Sequence, residues 1–209
     1  MSDLQTRVIS GGAMMLVAGF CLWMGGLVFA ALAVIAGIVM LIEWRALSKR
    51  IGWGEAGLAA GVAYVALPVA AIIALRIESL ALAFWTLAIV WATDIFAYIA
   101  GRSIGGPKIA PSISPSKTWA GLGGGMVGAG VSGALLAYHF TLPEMLYWLG
   151  VPLAVLAQAG DFFESWVKRR AGVKDSGKLL PGHGGVLDRL DGLVPVATVM
   201  GVLLMAGPL

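Results

Sequence analysis

From residue 8 to residue 42 the chain carries no charged side chain. That run exceeds the roughly 20 residues one bilayer crossing needs, and the adjacent Gly25 and Gly26 divide it into a helical hairpin. Further apolar runs predict crossings at residues 56–75, 80–100, 120–138, 145–163 and 193–209. The pattern is that of an all-α, polytopic membrane protein with about seven transmembrane helices. Two longer polar loops, residues 101–119 and 165–192, separate the later crossings and fall on the same side.

Basic residues set the orientation, because cytoplasmic loops hold an excess of Lys and Arg. With the N-terminus in the cytoplasm, the cytoplasmic segments contain Arg7, Arg45, Lys49, Arg50, Arg102, Lys108, Lys117, Lys168, Arg169, Arg170, Lys174, Lys178 and Arg189, all of the 14 basic residues except Arg76. Composition agrees. Apolar residues make up 59%, charged residues 12%, and the mean hydropathy is +0.91, whereas a soluble domain carries about a quarter charged residues. The net charge of +3 does not indicate nucleic acid, since the cations sit in loops between apolar runs. One cysteine, Cys21, excludes an internal disulfide and any cysteine-built zinc or iron–sulfur site. No repeat and no Pro/Ser-rich linker is present, so residues 1–209 read as a single membrane-embedded domain.

Acidic groups inside or at the edge of a span are costly in hydrocarbon and by default mark a polar cavity. Asp94 lies in the fourth span. Asp161, Glu164, Ser165 and Lys168 share one face of the helix that closes the sixth. The following loop holds Lys174, Asp175, His183, Gly184, Gly185, Asp188, Arg189 and Asp191. Glycines around His183 allow close backbone approach, and the N–H groups of such a turn suit phosphate oxygens. Asp161, Glu164, Asp188 and Asp191, beside a group of cations, supply what a hard divalent ion with phosphates around it requires, and oxygen donors favour Mg²⁺ over zinc.

The loop before the fifth span contains Ser114, Lys117 and Thr118, and the helix opens on Gly121, Gly123, Gly124 and Gly125. Hydroxyls and a lysine at a helix start can hold an anion; Ser and Thr also cap helices routinely. Gly123-x-Gly125-x-x-Gly128 matches a dinucleotide fingerprint only formally, because no strand precedes it. The pairs Gly121/Gly125 and Gly124/Gly128 are instead expected to pack helices closely. Trp44, Trp53, Trp119 and Trp148, near span ends, are expected to anchor the membrane interface.

The run Ser165-x-Val167-Lys168-Arg169, Lys174-Asp175-x-Gly177, Leu180-Pro181-x-His183-Gly184-Gly185-Val186-x-Asp188-Arg189-Leu190-Asp191 resembles the signature of the phosphatidate cytidylyltransferases, or CDP-diacylglycerol synthases. Gly160-Asp161-x-x-Glu164-Ser165, Ser114-Pro115-x-Lys117-Thr118 and Asp94-x-x-Ala97-Tyr98-x-x-Gly101-Arg102 look like further motifs of that family in the family's order. The strong likeness covers residues 94–191, with weaker agreement around Arg7 and Glu43-Trp44. Ser116 stands where the family often has a second lysine, and Ala120 where it often has glutamate. The chain is also shorter than is usual for the family, and one or more N-terminal spans are expected to be missing.

The resemblance implies an Mg²⁺-dependent reaction of CTP with phosphatidate to give CDP-diacylglycerol and pyrophosphate. It implies Asp161, Asp188 and Asp191 as metal ligands and, with Lys168, as the catalytic set. Ser114, Lys117, Thr118, Ser165, Lys174, His183, Gly184, Gly185 and Arg189 are the expected substrate contacts, and Glu164 and Asp94 supporting polar groups. A homodimer in the bacterial cytoplasmic membrane, with its site facing the cytoplasm, is expected. Two other readings remain open: a CTP-dependent enzyme acting on an ether-lipid phosphate or a polyprenol, and a transporter whose path Asp94 and Asp161 would line. Transporter sites sit near the bilayer midplane between related halves, whereas these polar groups crowd one membrane face.

Overall fold

The structure, a computed structural model, describes residues 3–180, 182, 184–207 and 209, with side chains from Ser10 onward. Among these the order is α1 (Asp3–Met24), α2 (Gly26–Ile51), α3 (Gly54–Glu78), α4 (Leu80–Ser103), β1 (Lys108–Ala110), β2 (Ser114–Thr118), α5 (Trp119–His139), α6 (Leu146–Arg170), α7 (Leu187–Leu190) and α8 (Leu193–Met205). Five helices, α2 to α6, are long and apolar enough to cross a membrane. Large apolar side chains face outward along them, with Leu27 89% and Ile77 77% exposed. A surface of that kind, on helices long enough to span a bilayer, is one that faces lipid. The protein is an all-α integral membrane protein.

The uncharged run of residues 8–42 does fold into a hairpin. It turns at Gly25, whose φ of 64° is open to glycine without steric cost. Arg76, the one basic residue outside the set expected to be cytoplasmic, has a structural task there. Arg76, at the end of α3, donates from Nε to the carbonyl of Leu22 at 2.6 Å and from Nη2 to that of Trp23 at 3.1 Å. These are carbonyls that the end of α1 leaves without helical partners.

By length and composition, five of the expected crossings are helices long enough to span a membrane. The expected crossing over 193–209 is a 13-residue helix, α8, ending before Gly207 with its φ of 84°. At 1.5 Å per residue it reaches about 20 Å, short of a hydrocarbon layer of about 30 Å. The described apolar part of α1, Ser10–Met24, is likewise short. The helices therefore account for five long apolar elements and two shorter ones.

The glycine row of α5 packs as its spacing predicts. A Cβ on Gly121 would lie 3.1 Å from the carbonyl of Ala97, and one on Gly125 3.0 Å from that of Thr93, so α5 rests against the backbone of α4. Trp85 of α4 donates from Nε1 to the carbonyl of Gly133 at 2.9 Å. α6 packs against the other side of α5, while α3 lies against α2 and α8. Trp85, Ile89, Leu146 and Met200 fill the centre of the bundle.

Three local expectations change. The loop of residues 101–119 contains an antiparallel hairpin pairing Lys108 with Thr118 and Ala110 with Ser114. Strands of three and five residues are too short to show a period of two. α6 runs on past residue 163 to Arg170, because its polar last turns are amphipathic rather than lipid-facing. Trp44 is no interface anchor: it is buried, donates to the carbonyl of Gly57 at 2.8 Å, and packs with Trp53, Tyr64 and Phe163. Trp119 and Trp148 are exposed as expected.

Candidate active site

The last turns of α6 put Asp161, Glu164, Ser165 and Lys168 on one face. Ser165 Oγ donates to Asp161 Oδ1 at 3.2 Å, and Lys168 Nζ lies 2.6 Å from Glu164 Oε2 one turn apart. Lys168 also reaches Asp188 Oδ1 at 2.7 Å, so one ammonium is shared by two carboxylates. The triad is enclosed: the side chains of Lys168, Glu164 and Asp188 are 12%, 0% and 4% exposed. Glu164 Oε1 has no hydrogen-bond partner among the described residues.

The second oxygen of Asp188 is equally committed. Oδ2 accepts from the Ser176 N–H at 2.9 Å, Ser176 Oγ at 2.9 Å and the Gly185 N–H at 2.7 Å. Burial pushes this carboxyl up, but the Lys168 ammonium and the two N–H groups outweigh it and hold Asp188 below the usual carboxylate range. Gly184 is required beside it, since φ is 83° and a Cβ would sit 2.7 Å from Asp188 Oδ2.

The loop is fastened from the other side by a residue the sequence motifs did not single out for the site. Glu43 of α2 accepts from the Val186 N–H at 3.0 Å, the Leu187 N–H at 2.8 Å and Ser176 Oγ at 3.2 Å. The N–H groups of Gly185, Val186 and Leu187 therefore serve internal carboxylates. The expectation that this turn offers them to phosphate oxygens is not met for these three.

Next to this network lies a polar cavity of ≈ 460 Å³ between α4, the β hairpin, the start of α5 and α6. Asp94, Tyr98, Arg102, Lys108, Lys117, Gln158 and Asp161 line it, with Thr118 at its edge. Lys117 donates from Nζ to Gln158 Oε1 at 2.9 Å, forms an ion pair with Asp161, and lies over the ring of Phe162. Thr118 caps α5, its Oγ1 accepting from the Gly121 N–H at 3.0 Å. Arg102 reaches Tyr98 Oη at 3.3 Å. Residues 94, 97, 98, 101 and 102 recur at helical spacing on one face of α4. That periodicity is the signal that could have added Tyr98 and Arg102 to the site, whereas Lys108 and Gln158 carried none.

Asp191 lies between cavity and loop. Its Oδ1 accepts from the Gly192 N–H at 2.7 Å. Burial, then the charge of Asp161, push its carboxyl well above the usual carboxylate range against the opposing Gly192 hydrogen bond, with Asp94 adding to the rise and Lys168 reducing it. Arg189 is close enough for its charge to act on Asp94.

The expected residues thus fall into two adjoining groups joined by Asp191. Asp161, Lys117, Thr118 and Ser165 belong to the cavity side; Lys168, Asp188, Gly184 and Gly185 belong to the loop. Ser114 lies in β2, away from the cavity lining, and Lys174 is exposed on the loop. His183 lies outside the described residues. Among the described residues no three His, Cys, Asp or Glu side chains converge as a metal cage. Both oxygens of Asp188 are engaged by Lys168, Ser176 and Gly185, and both oxygens of Asp161 are likewise engaged, Oδ1 by Ser165 and Oδ2 by Lys117. Asp161 and Asp191 are two hard oxygen donors close enough for their charges to oppose each other. Such a pair suits Mg²⁺, which takes one or two carboxylates and completes its shell with water and phosphate oxygens.

The sequence matches the profile of the cytidylyltransferase family over residues 53–206. The phosphatidate cytidylyltransferase of Brucella abortus biovar 1 (strain 9-941) is 36% identical over 254 aligned residues, which cover 96% of this chain and 93% of the relative. That of Rickettsia bellii (strain RML369-C) is 36% identical over 213 residues, covering 95% and 90%. That of Rickettsia prowazekii (strain Madrid E) is 35% identical over 213 residues, covering 94% and 90%.

Proposed function

The chain belongs to the cytidylyltransferase family, and on that premise we propose that it transfers CMP from CTP to phosphatidate, releasing pyrophosphate and forming CDP-diacylglycerol for phospholipid synthesis. The observation that carries the reading to this site is the adjacency of the Lys117–Asp161 cavity to the Lys168–Asp188 loop, with Asp191 between them. An oxygen of the lipid phosphate attacks the α-phosphorus of CTP. The bond from that phosphorus to the oxygen bridging to the β-phosphate breaks, and pyrophosphate departs with the electron pair. A phosphate monoester is already an anionic nucleophile, so no general base is needed. The protein's work is to align the two phosphates and neutralise charge on the leaving group.

Lys117 and Arg189 hold phosphate oxygens on the cavity side, and Lys168 faces them from the end of α6. Thr118, Ser165, Lys174, His183 and Gly184 complete the substrate contacts in this proposal, while Gly185 gives its N–H to Asp188 and so shapes the loop. Asp161 and Asp191 would hold Mg²⁺, which when bound supplies charge neutralisation on the transferring and departing phosphates. Asp188 acts through Lys168, fixing where that ammonium points. Glu164 keeps the same lysine charged and in place.

Seven crossings with a cytoplasmic N-terminus, a single domain and a site facing the cytoplasm from the bacterial inner membrane remain part of this proposal, supported by the distribution of Lys and Arg. A homodimer is proposed from the family resemblance alone, because the glycine row of α5 is used against α4 within one chain.

Purified protein given CTP, Mg²⁺ and phosphatidate is expected to yield CDP-diacylglycerol and pyrophosphate in equal amounts, detected by mass spectrometry and a pyrophosphate assay. Product from an ether-lipid phosphate or a polyprenol in place of, rather than alongside, that from phosphatidate would reject the assignment of substrate.

A further inference from the structure

Glu43 sits on α2, 133 to 144 residues away in sequence from the groups it binds, and is 6% exposed. Its carboxylate has no Lys or Arg partner among the described residues. It is satisfied instead by two consecutive backbone N–H groups, those of Val186 and Leu187, and by Ser176 Oγ. The platform beneath it is rigid: the neighbouring Trp44 is tied to the carbonyl of Gly57 on α3 at 2.8 Å. The loop has glycine where the carboxylate comes closest. A Cβ on Gly185 would lie 2.6 Å from Glu43 Oε1, and one on Gly177 would collide with the same oxygen.

From Glu43 a single chain of contacts leads into the site. Ser176 Oγ bridges Glu43 Oε2 and Asp188 Oδ2 at 3.2 and 2.9 Å, Asp188 Oδ1 holds Lys168 Nζ at 2.7 Å, and Lys168 holds Glu164. Buried polar groups linked end to end hold one another in a single geometry, and loss of a link releases those beyond it. We infer that Glu43 is a positioning residue for the transfer proposed above: acting through Ser176 and Asp188, its carboxylate sets the place of the Lys168 ammonium. Glu43 touches neither reacting phosphate. Its loss should therefore slow the chemical step in the bound complex while leaving substrate affinity nearly unchanged.

The test compares kcat and KM for CTP and phosphatidate in the full-length protein, Glu43→Gln, Ser176→Ala and the double variant. In Glu43→Gln one of the two positions facing backbone N–H donors becomes an NH₂ group, so at least one bond is lost. The expected result is a fall in kcat of about 10- to 100-fold, the range for groups that orient a catalytic residue, with each KM within about threefold. The double variant should be no more than about twofold below Glu43→Gln, because both changes cut the same chain. Unchanged kcat, a loss confined to KM, or losses that multiply would overturn the inference. Should Glu43→Gln not purify in folded form, Ser176→Ala decides alone: a kcat-selective loss supports the chain of contacts and wild-type kcat overturns it. Hydrogen exchange over residues 176–190 separates this inference from the enzymatic reading. Absence of CDP-lipid from the unaltered protein would refute the reaction, yet faster exchange in Glu43→Gln would still show the anchor and unchanged exchange would remove it.

Discussion

Asp188→Ala is expected to lower turnover by about 10²- to 10³-fold, the cost typical of losing preorganisation at a reacting phosphate. One carboxylate receives Lys168 Nζ, the N–H and Oγ of Ser176, and the N–H of Gly185. Alanine would free the 174–188 loop from α6 and let Lys168 settle wholly on Glu164. The fold should survive, because Lys168 and Glu164 still balance each other in charge and the bundle core of Trp85, Ile89 and Met200 lies elsewhere. The dependence on Mg²⁺ separates its role from that of the other aspartates. Asp161→Asn and Asp191→Asn should raise the Mg²⁺ concentration needed for half-maximal rate, whereas Asp188→Asn should lower kcat without moving that concentration. A raised Mg²⁺ requirement in Asp188→Asn would return Asp188 to the metal.

Lys168→Met should be the most damaging change to stability. It leaves Glu164 and Asp188, with side chains 0% and 4% exposed, facing each other without a cation. Breaking a buried pair by removing one partner costs about 3–5 kcal/mol, much of it the penalty of the charge left behind. The expected outcome is a lower denaturation midpoint in detergent together with lost turnover. Glu164→Gln should be far milder in the same measurement, since Lys168 keeps Asp188. Equal midpoints for Lys168→Met and the unaltered protein would show that the triad does not bear on stability.

Much of this arrangement could be read from spacing. Residues four apart on a helix meet, so the Asp161–Ser165 and Glu164–Lys168 contacts followed from helical geometry alone. A long uncharged run interrupted by two glycines foretold the α1–α2 turn, and the glycine row foretold how closely α5 approaches α4. What escaped was contact between distant segments. Nothing local to Glu43 indicates that it captures N–H groups more than 130 residues away. Asp188 and Asp191 lie three residues apart, but α7 has only four residues and Asp188 turns back onto its own loop. Glycines beside His183 were read as room for phosphate, yet at Gly185 the free space is taken by Glu43 and Ser176. Trp44 fitted an interface anchor by position, and only the packing of α2 on α3 reveals it as buried support.

The transfer of a nucleotidyl group, as opposed to a bare phosphoryl group, is tested most directly by following isotope from CTP. Purified protein would be incubated with Mg²⁺, phosphatidate and CTP labelled with ³²P at either the α or the γ position. The account predicts α label in the lipid fraction and γ label in pyrophosphate. Label from the γ position in the lipid, or none from the α position, would contradict it.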